Sequence, residues 1–120
     1  MLKLTARPLD KNEQESIIHE KLSWILANCS PKKVILFGSA ARREMTEASD
    51  IDMIIIFSNE QDLKAEQNRL NRSRKPTDWP QDLIFYSASD FQRSVATGGG
   101  AAWLANKEGQ IIFSDEEAKL

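Results

Sequence analysis

Apolar residues recur at helical spacing in some segments of the chain and form unbroken runs in others, and this pattern predicts the secondary structure. Between residues 10 and 30 they recur in steps of three and four, as on the buried face of an amphipathic helix. This stripe consists of Ile18, Leu22, Ile25 and Cys29. Asp10 and Glu13 have the spacing of a capping box, which predicts that the helix begins near Asp10. Pro31 ends it, because the residue before a proline avoids the helical conformation.

Short apolar runs elsewhere in the chain predict β-strands. These runs lie at residues 34–37, 51–57, 83–86 and 111–113. The second run is apolar on both faces, so we expect it to be the central strand. A short helix is predicted after Gly38, and Asn59 and Ser89 are predicted to cap two of three later helices. These helices lie at residues 59–74, 89–95 and 101–107, and a proline-containing loop covers residues 75–81.

Helices that alternate with about four strands predict an α/β (α+β) fold with a mixed sheet flanked by helices. The length of 120 residues suits a single domain spanning residues 1–120, with frayed ends expected at residues 1–9 and 114–120. Hydrophobic residues make up 41% and charged residues 28% of the chain, which is typical of a packed globular protein. The net charge of -2 provides no overall positive field, so we do not expect direct binding of nucleic acid.

The cellular location is predicted from what the sequence contains near its start and along its apolar runs. Cys29 is the one cysteine, which excludes an internal disulfide and favours an intracellular protein. Residues 1–10 lack the apolar core of a signal peptide. The longest unbroken apolar run, residues 53–57, is far too short to span a membrane. We therefore expect a cytoplasmic protein without membrane contact.

Two acids stand at the start of the second predicted strand, close to a glycine-serine pair after the first. Because side chains alternate between the faces of a strand, Asp50 and Asp52 are predicted to point the same way. Neighbouring carboxylates repel each other unless a cation lies between them, and oxygen ligands suit Mg²⁺. Gly38 lets the backbone approach a phosphate closely, and Ser39 adds a hydroxyl donor beside the first N–H groups of a helix.

Two further residues extend this candidate site. Asp82 opens the third predicted strand, and it would join Asp50 and Asp52 if the second and third strands are neighbours. Three carboxylates could hold two metal ions about 3.5–4 Å apart, as in two-metal nucleotidyl transfer. Arg42 lies one turn beyond Gly38 and is predicted to reach a phosphate oxygen. The alternative interpretation is that these are solvated side chains at a strand start and on a helix.

The spacing of these residues resembles a known signature. Gly38-Ser39, followed after ten residues by Asp50-Ile51-Asp52, resembles the motif of the polymerase-beta-type nucleotidyltransferase superfamily. The flanking residues 35–42 and 49–52 also match that pattern, and the resemblance covers roughly residues 34–113. The short chain is similar to the minimal nucleotidyltransferases, or MNT proteins, which are often paired with HEPN-domain proteins in toxin–antitoxin modules. The resemblance implies a nucleotidyltransferase fold.

The resemblance also implies a role for each matching residue. Gly38 and Ser39 would hold the triphosphate of ATP, Asp50 and Asp52 would bind Mg²⁺, and Asp82 would be the third metal ligand and the base. Members of this kind transfer AMP to a tyrosine of the partner toxin, which silences it. The resemblance thus implies an enzyme that uses ATP and two Mg²⁺ ions to AMPylate a small helical HEPN-type toxin, and so acts as its antitoxin.

One residue departs from the family pattern. The family usually has a glycine after the arginine, whereas Arg43 stands there in this chain. A stiffer loop would weaken the hold on the nucleotide, which gives weight to an interpretation without catalysis. Two alternatives stay open. The chain could be a binding module that masks its partner without catalysis, or a small-molecule nucleotidyltransferase of the aminoglycoside type, which would need a dimer to complete its acceptor pocket. The acceptor, the preferred nucleotide and homo-oligomerisation stay open at the level of sequence.

Overall fold

The structure is a computed structural model, and it describes residues 6–75 and 78–116. Within these residues the chain forms five helices and four strands in the predicted order. These are α1 (Lys11–Asn28), β1 (Lys33–Phe37), α2 (Gly38–Arg42), β2 (Ile51–Phe57), α3 (Glu60–Arg72), β3 (Gln81–Ser87), α4 (Ala88–Ala96), α5 (Gly100–Glu108) and β4 (Gln110–Ser114). The predicted capping box of α1 is confirmed, because the Asp10 carboxylate accepts the Glu13 N–H and the Glu13 carboxylate accepts the Asp10 N–H.

The four strands form one sheet in the order β3-β2-β1-β4. β2 runs parallel to β3 and antiparallel to β1, and β1 is antiparallel to β4, so the sheet is mixed as predicted. All five residues of β2 that follow Asp52 are buried, in agreement with its predicted central position. Because α3 connects two parallel neighbours, it must cross over the sheet, and this crossover brings the starts of β2 and β3 to the same edge.

Helices cover both faces of this sheet. Side chains from α1 and α3 pack on one face, and side chains from α4 and α5 pack on the other. The first face buries Ile25, Leu36, Met53, Ile55 and Leu70, and the second buries Ile35, Ile54, Ile56, Phe91 and Ala105. Neighbouring residues of β2 therefore pack into the cores on opposite faces of the sheet, which is why the whole strand is apolar after its first two residues.

Three boundaries differ from the sequence-based predictions. α4 is capped by Ser87, whose hydroxyl accepts the Asp90 N–H, and not by Ser89. The packed part of the chain extends further toward both ends than predicted. Leu9 is buried and donates its N–H to the Met45 carbonyl, and Ser114 is a buried residue of β4. Residues 1–5 and 117–120 of those ends, and residues 76–77 of the predicted loop, lie outside the described part of the chain. In the described part, no helix is long and apolar enough to cross a membrane.

Candidate active site

The junction of β1 and α2 brings the backbone against an acid of the next strand. Gly38 has a φ of +70°, a conformation that favours glycine. A Cβ atom at this position would lie 2.6 Å from Oδ2 of Asp52, so a side chain at residue 38 would collide with that carboxylate. Phe37 pairs with Asp52 across the antiparallel strands, which explains the close approach. The predicted Gly38 position is therefore held beside the predicted acids by strand pairing.

The register of the two parallel strands brings two of the predicted acids together. Asp52 of β2 lies directly opposite Asp82 of β3, and such strands are about 4.8 Å apart. Both positions share the face that carries Ile54 and Ile84 further along the strands. The sequence-based expectation that the second and third strands are neighbours is confirmed. Asp50 and Asp82 are exposed and Asp52 is half-buried, so the acids form a rim at the edge of the apolar core.

Asp52 is in an environment that disfavours its negative charge. Partial burial raises the pKa of the Asp52 carboxyl above its usual value, and the neighbouring carboxylates of Asp82 and Asp50 raise it further. No positive charge or hydrogen bond from the described residues offsets these effects. A carboxylate held in this way gains stability from a cation, because the cation removes both the repulsion and part of the desolvation penalty.

The donor chemistry of this acidic rim suits a divalent ion such as Mg²⁺, which takes a few carboxylates and completes its shell with phosphates and water. Among residues 6–75 and 78–116, however, no three side chains of histidine, cysteine, aspartate or glutamate are grouped closely enough to form a ready-made metal site. The acids Asp50, Asp52 and Asp82 are thus neighbours but not a closed ligand set. Their role as metal ligands stays a prediction, which the chemistry of the rim supports.

Ser39 and Arg42 occupy opposite ends of the short helix α2. The first N–H groups of α2 donate no hydrogen bond to a capping side chain, and Ser39 is half-buried beside them. Such free donors suit an anion. Arg42 is instead at the last residue of α2, where its side chain is 61% exposed and its Nε lies 2.7 Å from Oε1 of Glu44. The predicted contact of Arg42 with a phosphate would require this ion pair to open.

Arg43, which departs from the family pattern, has a structural role that the sequence did not reveal. It ends α2 with a φ of +56°, the left-handed conformation that glycine adopts at low cost. Its guanidinium forms a two-pronged ion pair with Glu15 of α1, with distances of 2.9 Å for both closest pairs of atoms. The same group donates to the Ala40 carbonyl and to Oε1 of Gln110. Arg43 therefore ties α2 to α1 and β4.

Trp79 is a second residue whose position near the site could not be predicted. Its Nε1 donates a hydrogen bond of 2.9 Å to the carbonyl of Ser49, the residue before Asp50. The backbone N–H of Ile51 donates to the Pro80 carbonyl, so the start of β2 is fastened to the segment that leads into β3. The one signal in the sequence is the closeness of Trp79 to Asp82, and this signal alone does not distinguish a positioning residue from a core residue.

Comparison with known proteins identifies the class to which this arrangement belongs. A crystal structure of a candidate nucleotidyltransferase from Sulfolobus solfataricus matches with a TM-score of 0.56 over 88% of this chain and 84% of that chain. The two sequences are 18% identical, so this likeness concerns the fold. The four-stranded mixed sheet and its helices thus form a nucleotidyltransferase-type α/β fold.

The sequence itself identifies the family. The family described as polymerase beta nucleotidyltransferase matches residues 20–118, which is most of the chain. A search of curated proteins finds no significant match. The chain thus belongs to the polymerase beta nucleotidyltransferase family. The predicted superfamily and fold are confirmed by these findings, whereas the MNT assignment within the superfamily stays a prediction.

Proposed function

We propose that the chain transfers AMP from ATP to a tyrosine hydroxyl of a partner protein, with Mg²⁺ bound at the acidic rim. The observation that carries this proposal is the register that sets Asp52 opposite Asp82, with the Gly38 turn against Asp52. Family membership supports nucleotidyl transfer as the reaction class. ATP, Mg²⁺ and the protein acceptor are proposed from the MNT-like spacing of Gly38-Ser39 and Asp50-Ile51-Asp52.

Each residue of the site has a proposed task. Gly38 and Ser39 would receive the triphosphate, since the first N–H groups of α2 lack a capping side chain. Asp50, Asp52 and Asp82 would hold Mg²⁺, which when bound would neutralise phosphate charge and acidify the acceptor hydroxyl. Asp82 is exposed at the start of its strand, so an acceptor can reach it.

The proposed reaction forms one bond and breaks one. The acceptor oxygen attacks the α-phosphorus of ATP, an O–P bond forms, and pyrophosphate leaves with the electrons of the bond that breaks. The proton of the acceptor hydroxyl passes to Asp82, which acts as the base. The raised pKa of Asp52 makes it the acid most in need of a cation, so it is assigned to metal binding and not to proton transfer.

The proposed biological role is that of an antitoxin to a small helical toxin of the HEPN type. This role rests on the resemblance to MNT proteins. The exposed acids at the rim support it, because a macromolecular hydroxyl can approach them from solvent. In this proposal the protein acts in the cytoplasm, on a toxin synthesised beside it.

The direct test starts from a search for a small helical protein encoded by a neighbouring reading frame, and it measures the mass of that candidate partner. Incubation with Mg²⁺ and ATP is expected to add the mass of one AMP per modified tyrosine, and omission of Mg²⁺ is expected to prevent it. The double variant Asp50→Ala, Asp52→Ala should lose transfer while keeping its fold. Glu108→Ala, an exposed acid on α5, is the matched control and should retain full activity. Transfer by the double variant would refute the proposed metal site.

A second candidate function is a binding module that neutralises its partner without catalysis. Arg43 favours it, because the guanidinium is committed to Glu15 and Gln110 and holds the loop in one conformation. In that case the partner would be inhibited equally with and without ATP, and its mass would not change. Inhibition by the Asp50→Ala, Asp52→Ala variant would support this alternative, whereas ATP-dependent inhibition would exclude it.

A further inference from the structure

The buried stripe of α1 contains two polar residues in addition to its apolar ones. Gln14 is 4% exposed and Lys21 is 5% exposed, and both lie at helical spacing from buried Ile18 and Ile25. Both polar atoms of the Gln14 side chain are hydrogen-bonded, because its Nε2 donates to the Leu9 carbonyl and its Oε1 accepts the Met45 N–H. Burying a polar group without a partner is costly, so the burial of Lys21 needs a separate explanation.

Lys21 has no such partner among the described residues. Burial lowers the pKa of its ammonium group, and no hydrogen bond contributes to that pKa. Asp78 and Glu20 are the acids that counteract burial, while Arg74 adds repulsion. Neither acid lies within ion-pair distance of the Lys21 ammonium group in the described structure, and the group lies 5.7 Å from the centroid of the Trp24 ring. Lysine is rarely buried unless it is paired.

Lys21 also lines two adjoining cavities between α1 and the segment that leads into β3. Their volumes are about 350 and 170 Å³, and they share Lys21, Glu20, Lys75 and Asp78. We call the combined space the Lys21 cleft; its walls include Glu20, Lys21, Trp24, Lys75, Asp78 and Trp79. A cleft of this size holds a small organic molecule. Trp79 packs with the core on the α1 side of the sheet, whereas Asp52 and Asp82 lie on the opposite face.

The charges of the cleft select the kind of molecule it accepts. Asp78 already accepts the backbone N–H of Lys75, at 2.9 Å, and Glu20 is exposed to water. Arg74 also lies close enough for its charge to act on Lys21, so the three cations at the cleft outnumber its two acids, and Trp24 and Trp79 supply flat apolar walls. We propose that the Lys21 cleft binds a small organic oxyanion, a carboxylate or phosphate ester with an apolar or aromatic part. This proposal does not depend on nucleotidyl transfer.

The test is calorimetric titration of the whole chain with two probes, benzoate for the carboxylate chemistry and phenyl phosphate for the phosphate chemistry. At least one probe is expected to bind saturably, and the better one identifies the oxyanion. Lys21→Met should weaken that binding at least tenfold, because it removes the buried charge and keeps the side-chain volume. Lys64→Met, an exposed lysine of α3, is the matched control and should bind like the wild-type protein.

Two further variants keep the proposal falsifiable if Lys21→Met folds poorly. Lys21→Gln removes the charge but keeps polarity, and Lys75→Met removes the exposed cation of the cleft without changing a buried residue. Without a probe, Lys21→Met should melt a few degrees above the wild-type protein, since it removes a buried charge that has no ion-pair partner among the described residues. Lack of saturable binding of both probes would overturn the proposal, as would unchanged affinity in the Lys21 and Lys75 variants.

Discussion

At the scale of single residues, Asp52 shows how a site can be unfavourable for the fold and useful for binding. At pH 7 its raised pKa reflects a folded state that is destabilised by burial and by Asp82 and Asp50. We expect Asp52→Asn to raise the free energy of unfolding of the metal-free protein by about 1 kcal/mol, as replacements of strained site residues commonly do. Chemical denaturation of both proteins at pH 7 measures this difference.

The dependence of that difference on pH follows from the sign of the pKa shift. An acid whose pKa is raised by folding destabilises the protein while it is ionised, and this effect is lost as pH falls through the raised pKa of Asp52. The stabilities of wild type and Asp52→Asn should therefore converge in acid. A difference that stays constant from neutral to acidic pH would show that the variant acts through packing and not through charge.

Arg43 has a left-handed backbone conformation and a side chain with several hydrogen bonds, and two substitutions separate the effects of these two features on stability. Arg43→Ala keeps a non-glycine residue at φ +56° and loses the contacts with Glu15 and Gln110. We expect it to cost about 2 kcal/mol of stability, in the range of partly buried charged hydrogen bonds. Arg43→Gly loses the same contacts but removes the left-handed strain, so it should be about 1 kcal/mol more stable than Arg43→Ala. Equal stabilities would contradict the left-handed conformation at residue 43.

At the scale of elements, the start of α1 depends on the capping box of Asp10 and Glu13. Asp10→Ala should lower the free energy of unfolding by about 1 kcal/mol, because the Glu13 N–H loses its acceptor. Thermal or urea denaturation measures this change. His19→Ala, at an exposed position in the middle of the same helix, is the control and should stay within about 0.5 kcal/mol of wild type. A similar loss in both variants would contradict the prediction, because alanine is the best helix former and the loss at Asp10 could then not be assigned to the cap.

The same helix start is expected to weaken in acid. The hydrogen bond from Arg7 lowers the pKa of the Glu13 carboxyl to about 2, and the Asp10 N–H contributes further. An acid whose pKa is lowered by folding stabilises the protein above its unfolded pKa, so this contribution is present above pH 4.5 and lost as pH falls toward 2. Glu13→Gln should therefore show a smaller loss of melting temperature across that interval than wild type. An identical acid dependence would exclude Glu13 as a contributor.

The elements also show which features the sequence could predict and which it could not. The unbroken apolar run of β2 and the Asp10-Glu13 spacing are local signals, and both predictions were confirmed. The cap of α4 was predicted wrongly because two serines lie near the start of this helix. Ser87, which ends β3, is three residues before Asp90 and caps the helix. The burial of Lys21 was not predictable from the sequence. A charged residue is expected to be exposed, and tertiary packing instead places Lys21 in the buried stripe of α1.

At the scale of the whole molecule, the candidate site depends on strands that are distant in sequence. The Gly38-to-Asp52 spacing predicted that a turn and an acid would meet, and the antiparallel pairing of Phe37 with Asp52 accounts for this. The place of Asp82 follows from the parallel β2–β3 pairing, which α3 makes possible. The Arg43 contacts with Glu15 had no sequence signal, and the Trp79 contact with Ser49 had only the closeness of Trp79 to Asp82, because side-chain partners on separate elements leave no local pattern.

Because substrate binding at the acidic rim would draw on strands β1, β2 and β3 together, it should stabilise the protein as a whole. A ligand at one hundred times its dissociation constant adds about 2.7 kcal/mol to the free energy of unfolding. For a domain of this size we expect Mg²⁺ with ATP to raise the melting temperature by about 10 °C at that saturation. Thermal denaturation followed by circular dichroism measures the shift.

The controls for this thermal shift separate metal-dependent binding from general effects of nucleotide and salt. ATP with a chelator, and Mg²⁺ alone, should each raise the melting temperature far less than the combination, because the rim needs the cation to accept phosphate charge. The Asp50→Ala, Asp52→Ala variant should show little additional shift with Mg²⁺ and ATP, whereas Glu108→Ala should behave like wild type. An equal shift in the double variant would locate nucleotide binding away from the acidic rim, although the family membership of the chain would stand.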